Sequence, residues 1–157
     1  MVAEPRGSRW WAAAAACLVL TACGEDGAHT ATAAPAPTQT LGYVAADYSY
    51  GGPLTAAAGL TRITLSNSGA EEHEMMVLRV PGDVTDLDPA TQLLHASFGQ
   101  ESAGEFVGGM HGLLPGKSAS MVVDLEPGRY VIGCLIPSPS DLTSHADKGM
   151  VGVLTVT

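Results

Sequence analysis

Tyr130-Val131-Ile132-Gly133-Cys134-Leu135-Ile136-Pro137 opens the stretch whose reading decides the fold. A loop rich in Pro, Ser and Asp follows, then His145-Ala146-Asp147-Lys148-Gly149-Met150 and the apolar run from Val151 to Val156. Short β-branched runs separated by turn residues predict a strand ending at Cys134 and a last strand opening at Met150. The loop between them carries His145. Thiolate, imidazole and thioether therefore follow one another near the C-terminus, a donor set suited to a soft transition-metal ion. A fourth donor has a candidate far upstream in His73.

Working outward, Ser118 to Leu125 and Arg129 to Cys134 read as strands joined by Glu126-Pro127-Gly128, which suits a tight turn. Glu74 to Val80 is an apolar strand stopped by Pro81-Gly82. Leu60 to Ser66 places Ile63 and Leu65 on one face and halts at the turn signal Asn67-Ser68-Gly69. Gly42 to Tyr50 carries Tyr43, Val44, Tyr48 and Tyr50, closed by Gly51-Gly52-Pro53. Leu87, Leu93 and Leu94, with Asp88-Pro89 at the start, predict a helix from Thr85 to about Ser97. The glycine-rich segment from Phe98 to Pro115 matches neither period and stays unassigned. The expectation is an all-β domain over residues 41–157, an antiparallel Greek-key β-sandwich with one short helical insertion.

The chain ahead of that domain reads differently. Arg6 and Arg9 precede the eleven-residue apolar run Trp10 to Leu20, too short for a membrane-spanning helix and suited to a signal peptide. The run ends in Leu20-Thr21-Ala22-Cys23-Gly24, which resembles a bacterial lipoprotein signal. The resemblance implies removal of residues 1–22 and lipidation of Cys23 at the outer face of the cell membrane. An ordinary secretory signal with a chance cysteine is the other reading. Residues 23–40 are small, polar and Pro-containing, a composition expected for a flexible tether.

Removing residues 1–22 takes away Glu4, Arg6 and Arg9 and leaves 5 basic against 15 acidic residues, a net charge of −10. Such a chain lacks the cationic face that nucleic acid requires. The expected domain keeps a single cysteine, Cys134, and so cannot hold an internal disulfide. A lone thiol in an oxidising compartment is either buried and inert or bound to something.

Asn67-Ser-Gly-Ala-Glu-Glu-His73-Glu-Met-Met-Val77 resembles the cupredoxin pattern of a strand, an Asn-x-Gly turn and a histidine opening the next strand. Gly128-Arg-Tyr-Val-Ile-Gly-Cys134, His145, Gly149-Met150 and Leu154-Thr-Val156 resemble the closing hairpin of the same blue-copper family. The resemblance spans most of residues 41–157. It implies one mononuclear copper ion held by His73, Cys134 and His145, with Met150 as the weak axial ligand. The pattern departs from the family in one respect. Ten residues, Leu135 to Ser144, separate the cysteine from the histidine, where the family usually has only a few.

Each of these residues also has an ordinary role open to it. His73 could be a half-buried histidine bonded to a carbonyl, Cys134 a small core hydrophobe and Met150 core packing. Met110-His111 offers an alternative pair of donors, and Glu71, Glu72 and Glu74 could bond the free ring nitrogen of His73. His95 and His29 read as solvated. No Ser-His-Asp arrangement, Gly-x-Ser-x-Gly elbow or phosphate-cradling loop supports an enzyme. The expectation is an extracytoplasmic, lipid-anchored, monomeric copper protein for electron transfer or copper handling. Its partners would be a redox protein or a copper donor or acceptor. The alternative is a metal-free binding or structural module of the envelope.

Overall fold

The structure, a computed structural model, describes residues 34–80, 88, 91, 94, 95 and 104–157. Signal residues 1–22, the lipidation candidate Cys23 and His29 lie outside them. Nine strands are described: β1 (Gln39–Ala46), β2 (Ser49–Gly51), β3 (Thr55–Ala56), β4 (Gly59–Asn67), β5 (His73–Val80), β6 (Glu105–Leu113), β7 (Ser118–Leu125), β8 (Gly128–Gly133) and β9 (Val151–Val156). They form two sheets, one in the order β2-β1-β4-β7 and the other β3-β9-β8-β5-β6.

The β-sandwich matches the expected architecture, but its sheets are mixed. β1 runs parallel to β4, with Leu41 opposite Ile63 and Tyr43 opposite Leu65. β3 runs parallel to β9. A parallel pair needs a crossover between its strands, and the short strands β2 and β3 supply it. The chain leaves the smaller sheet through β2 and pairs with the edge of the larger one at Thr55–Ala56. It then returns as β4.

The core fills the space between the sheets. Along β1 the alternation of Leu41, Tyr43 and Ala45 with exposed neighbours turns one face inward. Ile63, Leu65, Val123 and Leu125 complete that layer, facing Met75, Val77, Tyr130, Ile132, Leu154 and Val156 of the larger sheet. The larger sheet is covered on its other face too. Leu78, Val80, Val131 and Val151 pack there with Leu94 and Ala146, so β5 is buried along almost its whole length and reads as a continuous apolar run. The predicted helix lies mostly outside the described residues. The four of its residues that are described, Asp88, Thr91, Leu94 and His95, are helical. Gly133 makes room for Leu94: a Cβ there would stand 2.0 Å from Leu94 Cδ1.

Strand β6 comes from the segment left unassigned. Its glycines mark close packing rather than a loop. A Cβ on Gly108 would stand 3.1 Å from Val123 of the facing sheet, and one on Gly109 3.2 Å from the carbonyl of Met75. The pairing of β6 with β5 is interrupted twice by register shifts, the local irregularity that glycine tolerates.

Candidate metal centre

His73 is the first residue of β5, and Cys134 directly follows β8, its neighbour in the sheet. Met150 directly precedes β9, on the other side of β8. Adjacent strands thus deliver three candidate donors to one pole. The turn before His73 is held by Asn67, whose side chain is buried. Its amide donates to the carbonyls of Glu71 (2.8 Å) and Leu113 (2.7 Å), and its Oδ1 accepts from Gly69 N (2.8 Å). This is the physical role of the Asn-x-Gly pattern read in the sequence.

The ten-residue excursion returns His145 to the cysteine by folding on itself. Ala146 N donates to Cys134 O (2.7 Å), His145 N to Ile136 O (2.9 Å) and Ser138 N to Thr143 O (2.9 Å), and Pro137 bridges Ser144. The loop is a miniature hairpin whose two ends are Cys134 and His145. Met150 is tied in at both sides, its N donating to His145 O (2.8 Å) and its carbonyl accepting from Cys134 N (3.1 Å).

His73, Cys134 and His145 are each fully buried, and their donor atoms all lie within 4.8 Å of one another. The two Nδ1 atoms face each other at 3.1 Å, and Cys134 Sγ stands 3.4 Å from His145 Nδ1. Each far nitrogen is engaged by a carboxylate: His73 Nε2 lies 3.2 Å from Asp47 Oδ1, and His145 Nε2 lies 2.8 Å from Glu71 Oε2. An ionised carboxylate only accepts, so each Nε2 carries a hydrogen, and in a neutral imidazole that leaves Nδ1 as the nitrogen free to bind a metal. Two Nδ1 atoms 3.1 Å apart can share one cation between them. At a metal–imidazole distance of about 2.0 Å, nitrogens this far apart subtend about 100° at one ion, as a tetrahedral or trigonal site accepts. The donors present therefore fit a single metal ion of the kind that binds thiolate and imidazole together.

The electrostatics favour an uncharged His73 and an uncharged Cys134 thiol beside ionised carboxylates. Burial pushes His73 below the usual histidine value, and His145 adds to this, while Asp47 pulls the other way. Burial pushes the Cys134 thiol up to about 11, against backbone N–H groups of Glu74 and Ile136 that lower it. Asp47 is held below the usual aspartate value first by the N–H of Ala70; burial opposes this, and Glu71 N and His73 add to the lowering. For Glu71 the largest influence is burial, which raises its value. Hydrogen bonds from Tyr48, His145 and Ser138 together outweigh it and leave the value lowered.

Glu71 sits in a small polar network. Tyr48 Oη donates to its Oε1 (3.0 Å), as does Ser138 Oγ (3.1 Å). Tyr48 stands with its ring edge-on to His145, centroids 5.3 Å apart, and with Lys148 Nζ 4.5 Å from its own centroid. Its φ of 65° lies in the left-handed region, where a bulky residue is uncommon. That conformation belongs to the β1–β2 turn, which brings Asp47 to His73 and Tyr48 to His145.

Met150 lies at the same pole as these donors, and the other sequence candidates fall elsewhere. Met150 is buried within the inter-sheet cluster that includes Cys134 and Met75. Met110 is buried, but His111 points outward and binds Glu74 Oε2 at 2.6 Å, so the pair does not join the donor group. His95 bonds Ser144 and Asp147 at the surface. The acidic turn is rearranged relative to expectation. Glu71 serves His145 rather than His73, while Glu74 holds His111 and accepts from Leu135 N (2.7 Å). The carboxylate on His73 is Asp47, which the sequence reading missed. No local signal links two residues 26 positions apart; only the parallel β1–β4 pairing does.

The sheets, their connections and the pole carrying the buried His-Cys-His group define a protein with the cupredoxin fold. An auracyanin from the photosynthetic bacterium Roseiflexus castenholzii superposes with a TM-score of 0.54 and 22% identity, over 78% of this chain and 99% of that one. Auracyanin B gives 0.54 and 22%, over 80% and 93%. Auracyanin A of Chloroflexus aurantiacus, described as a "blue" copper protein, gives 0.52 and 14%, over 75% and 98%. No protein-family model and no curated protein matches the sequence.

Proposed function

We propose that the chain binds one copper ion at His73, Cys134 and His145, with Met150 as a weak fourth ligand, and carries single electrons. The observation behind this is the convergence of two imidazole nitrogens and one thiol sulfur in a fully buried group. Copper held by such donors supplies one-electron chemistry and makes or breaks no substrate bond. The chain's part is to hold the donors still and dry. His73 is fixed by the β5 ladder and His145 by the loop hairpin, so neither imidazole needs to move when the charge at the centre changes. Cys134 gives up its proton on metal binding, and the N–H groups that lower its pKa then stabilise the thiolate. The resemblance of the N-terminal residues to a lipoprotein signal supports export and anchoring through lipid on Cys23. A monomer on the outer face of the membrane, meeting a redox protein, completes this reading.

The complete burial of His145 favours a second reading, in which the same site stores or delivers copper and exchanges electrons slowly. Titrating the purified full chain with Cu(II) tests both. An intense visible thiolate-to-copper band at one equivalent, lost in Cys134→Ser and weakened in His73→Ala, is expected. Fast electron self-exchange then favours the carrier and slow exchange the store. A colourless protein whose thiol remains titratable after copper addition overturns both and leaves a metal-free envelope module.

A further inference from the structure

We propose that Asp47 and Glu71 are positioning residues that hold both metal-facing imidazoles as Nε2–H tautomers and, as paired anions, favour the oxidised over the reduced ion. The inference rests on the copper reading above and deepens it. One carboxylate stands on each histidine, at 3.2 and 2.8 Å. Asp47, its side chain 36% exposed, and Glu71, 19% exposed, are each held in place by further hydrogen bonds. Asp47 also accepts from Ala70 N (3.0 Å to Oδ1 and 3.1 Å to Oδ2) and from Glu71 N (3.2 Å). Glu71 accepts from Tyr48 Oη and Ser138 Oγ on one oxygen while His145 takes the other.

The space around these contacts is shaped for them. A Cβ on Gly69 would fall 2.3 Å from Asp47 Oδ1 and 2.7 Å from His73 Nε2, so the turn can bear no side chain there. Tyr48 adopts its left-handed conformation with its ring edge-on to His145. Ser138, fully buried, comes from the ten-residue excursion between Cys134 and His145, so that excursion supplies a part of the clamp.

Two consequences follow from the chemistry. A carboxylate accepting from the outer N–H fixes which nitrogen faces the metal and strengthens that nitrogen as a donor. Two fixed negative charges one imidazole away from the ion stabilise its higher charge state more than its lower one. Geometry and charge separate in the variants. Glu71→Gln and Asp47→Asn keep an accepting oxygen and lose the charge, whereas the alanine variants lose both.

The test uses the full chain with and without copper. In the metal-free protein, imidazole nitrogen NMR should show Nε2–H on both His73 and His145. Nδ1–H on either histidine overturns the positioning role. With copper, Glu71→Ala and Asp47→Ala should weaken Cu(II) binding about 10–100-fold. The amide variants should recover most of that loss yet raise the reduction potential. A tenfold loss of preference for Cu(II) over Cu(I) corresponds to about 59 mV. Glu126→Gln, which removes a charge paired with Arg79 beyond the far end of β8, should leave the potential unchanged. Potentials and affinities within twofold equivalence of wild type in all four site variants overturn the proposal. A wild-type chain that takes up no copper overturns the functional reading and the redox half of this one. The tautomer assignment still decides the positioning role.

Discussion

Ala146 donates its backbone N–H to the carbonyl of Cys134 across 2.7 Å, which pins the residue after one candidate ligand to the other. With His145 N on Ile136 O, this bond places both ligands at the base of a hairpin. The length of the insertion then matters only at its tip, because closing a loop costs entropy that grows slowly with its length.

At that tip Leu142 is 78% exposed with a φ of 60°. A leucine in the left-handed region costs about 1–2 kcal/mol and gains no burial here. Asn tolerates that conformation better. Leu142→Asn should raise stability by about 0.5–1 kcal/mol in denaturant unfolding and leave copper uptake unchanged. A loss of stability would show that the leucine side chain is held by something more than its backbone.

Gly69 is the most constrained position of the site. The Cβ of Gly69→Ala would meet Asp47 Oδ1, Asp47 N and His73 Nε2 within 3.0 Å, so the aspartate must leave the histidine or the turn must open. Metal-free stability should fall by about 1–3 kcal/mol, the cost of unpairing buried polar groups. Cu(II) binding should weaken as in Asp47→Ala. Thermal unfolding and copper titration of the one variant check both.

The metal-free protein should lose stability on both sides of neutrality. On the acid side, His73 lies below the ordinary histidine value of 6.5. Its contribution is complete above that pH and lost as pH falls through the native value. Asp47 and Glu71 lie below 3.8 and 4.5, and their contributions vanish at still lower pH. On the alkaline side, folding favours the Cys134 thiol, whose value rises from 9.0 to about 11. Its contribution is complete below pH 9 and lost between there and about pH 11. Copper binding deprotonates Cys134 in the native state, so the alkaline loss should disappear in the loaded protein. Denaturant midpoints measured across pH, with and without copper, check these signs.

Much of the fold is legible because β4, β5, β7, β8 and β9 are apolar runs bounded by Gly, Pro or Asn. Ser118–Leu125 has the bounds that the pattern predicts, and the last strand opens at Val151, one residue after the predicted Met150. Strand β6 was hidden because close packing put glycines where a strand normally shows β-branched residues. The parallel β1–β4 pairing was hidden for another reason: two-residue β3 leaves almost no sequence trace of the crossover. The donor residues stand out individually through their chemistry and order. Their carboxylate partners do not, since Glu71, Glu72 and Glu74 look equivalent until β5 alternation and the loop hairpin assign each a direction. Asp47 gains its meaning only from the register that sets Ala45 opposite Asn67.

X-ray absorption at the copper edge of the loaded full chain tests the central claim most directly. One short copper–sulfur distance and two imidazole nitrogens, with the sulfur lost in Cys134→Ser, are the predicted result. A shell of nitrogen and oxygen alone, unchanged in that variant, would place the metal elsewhere and contradict the account.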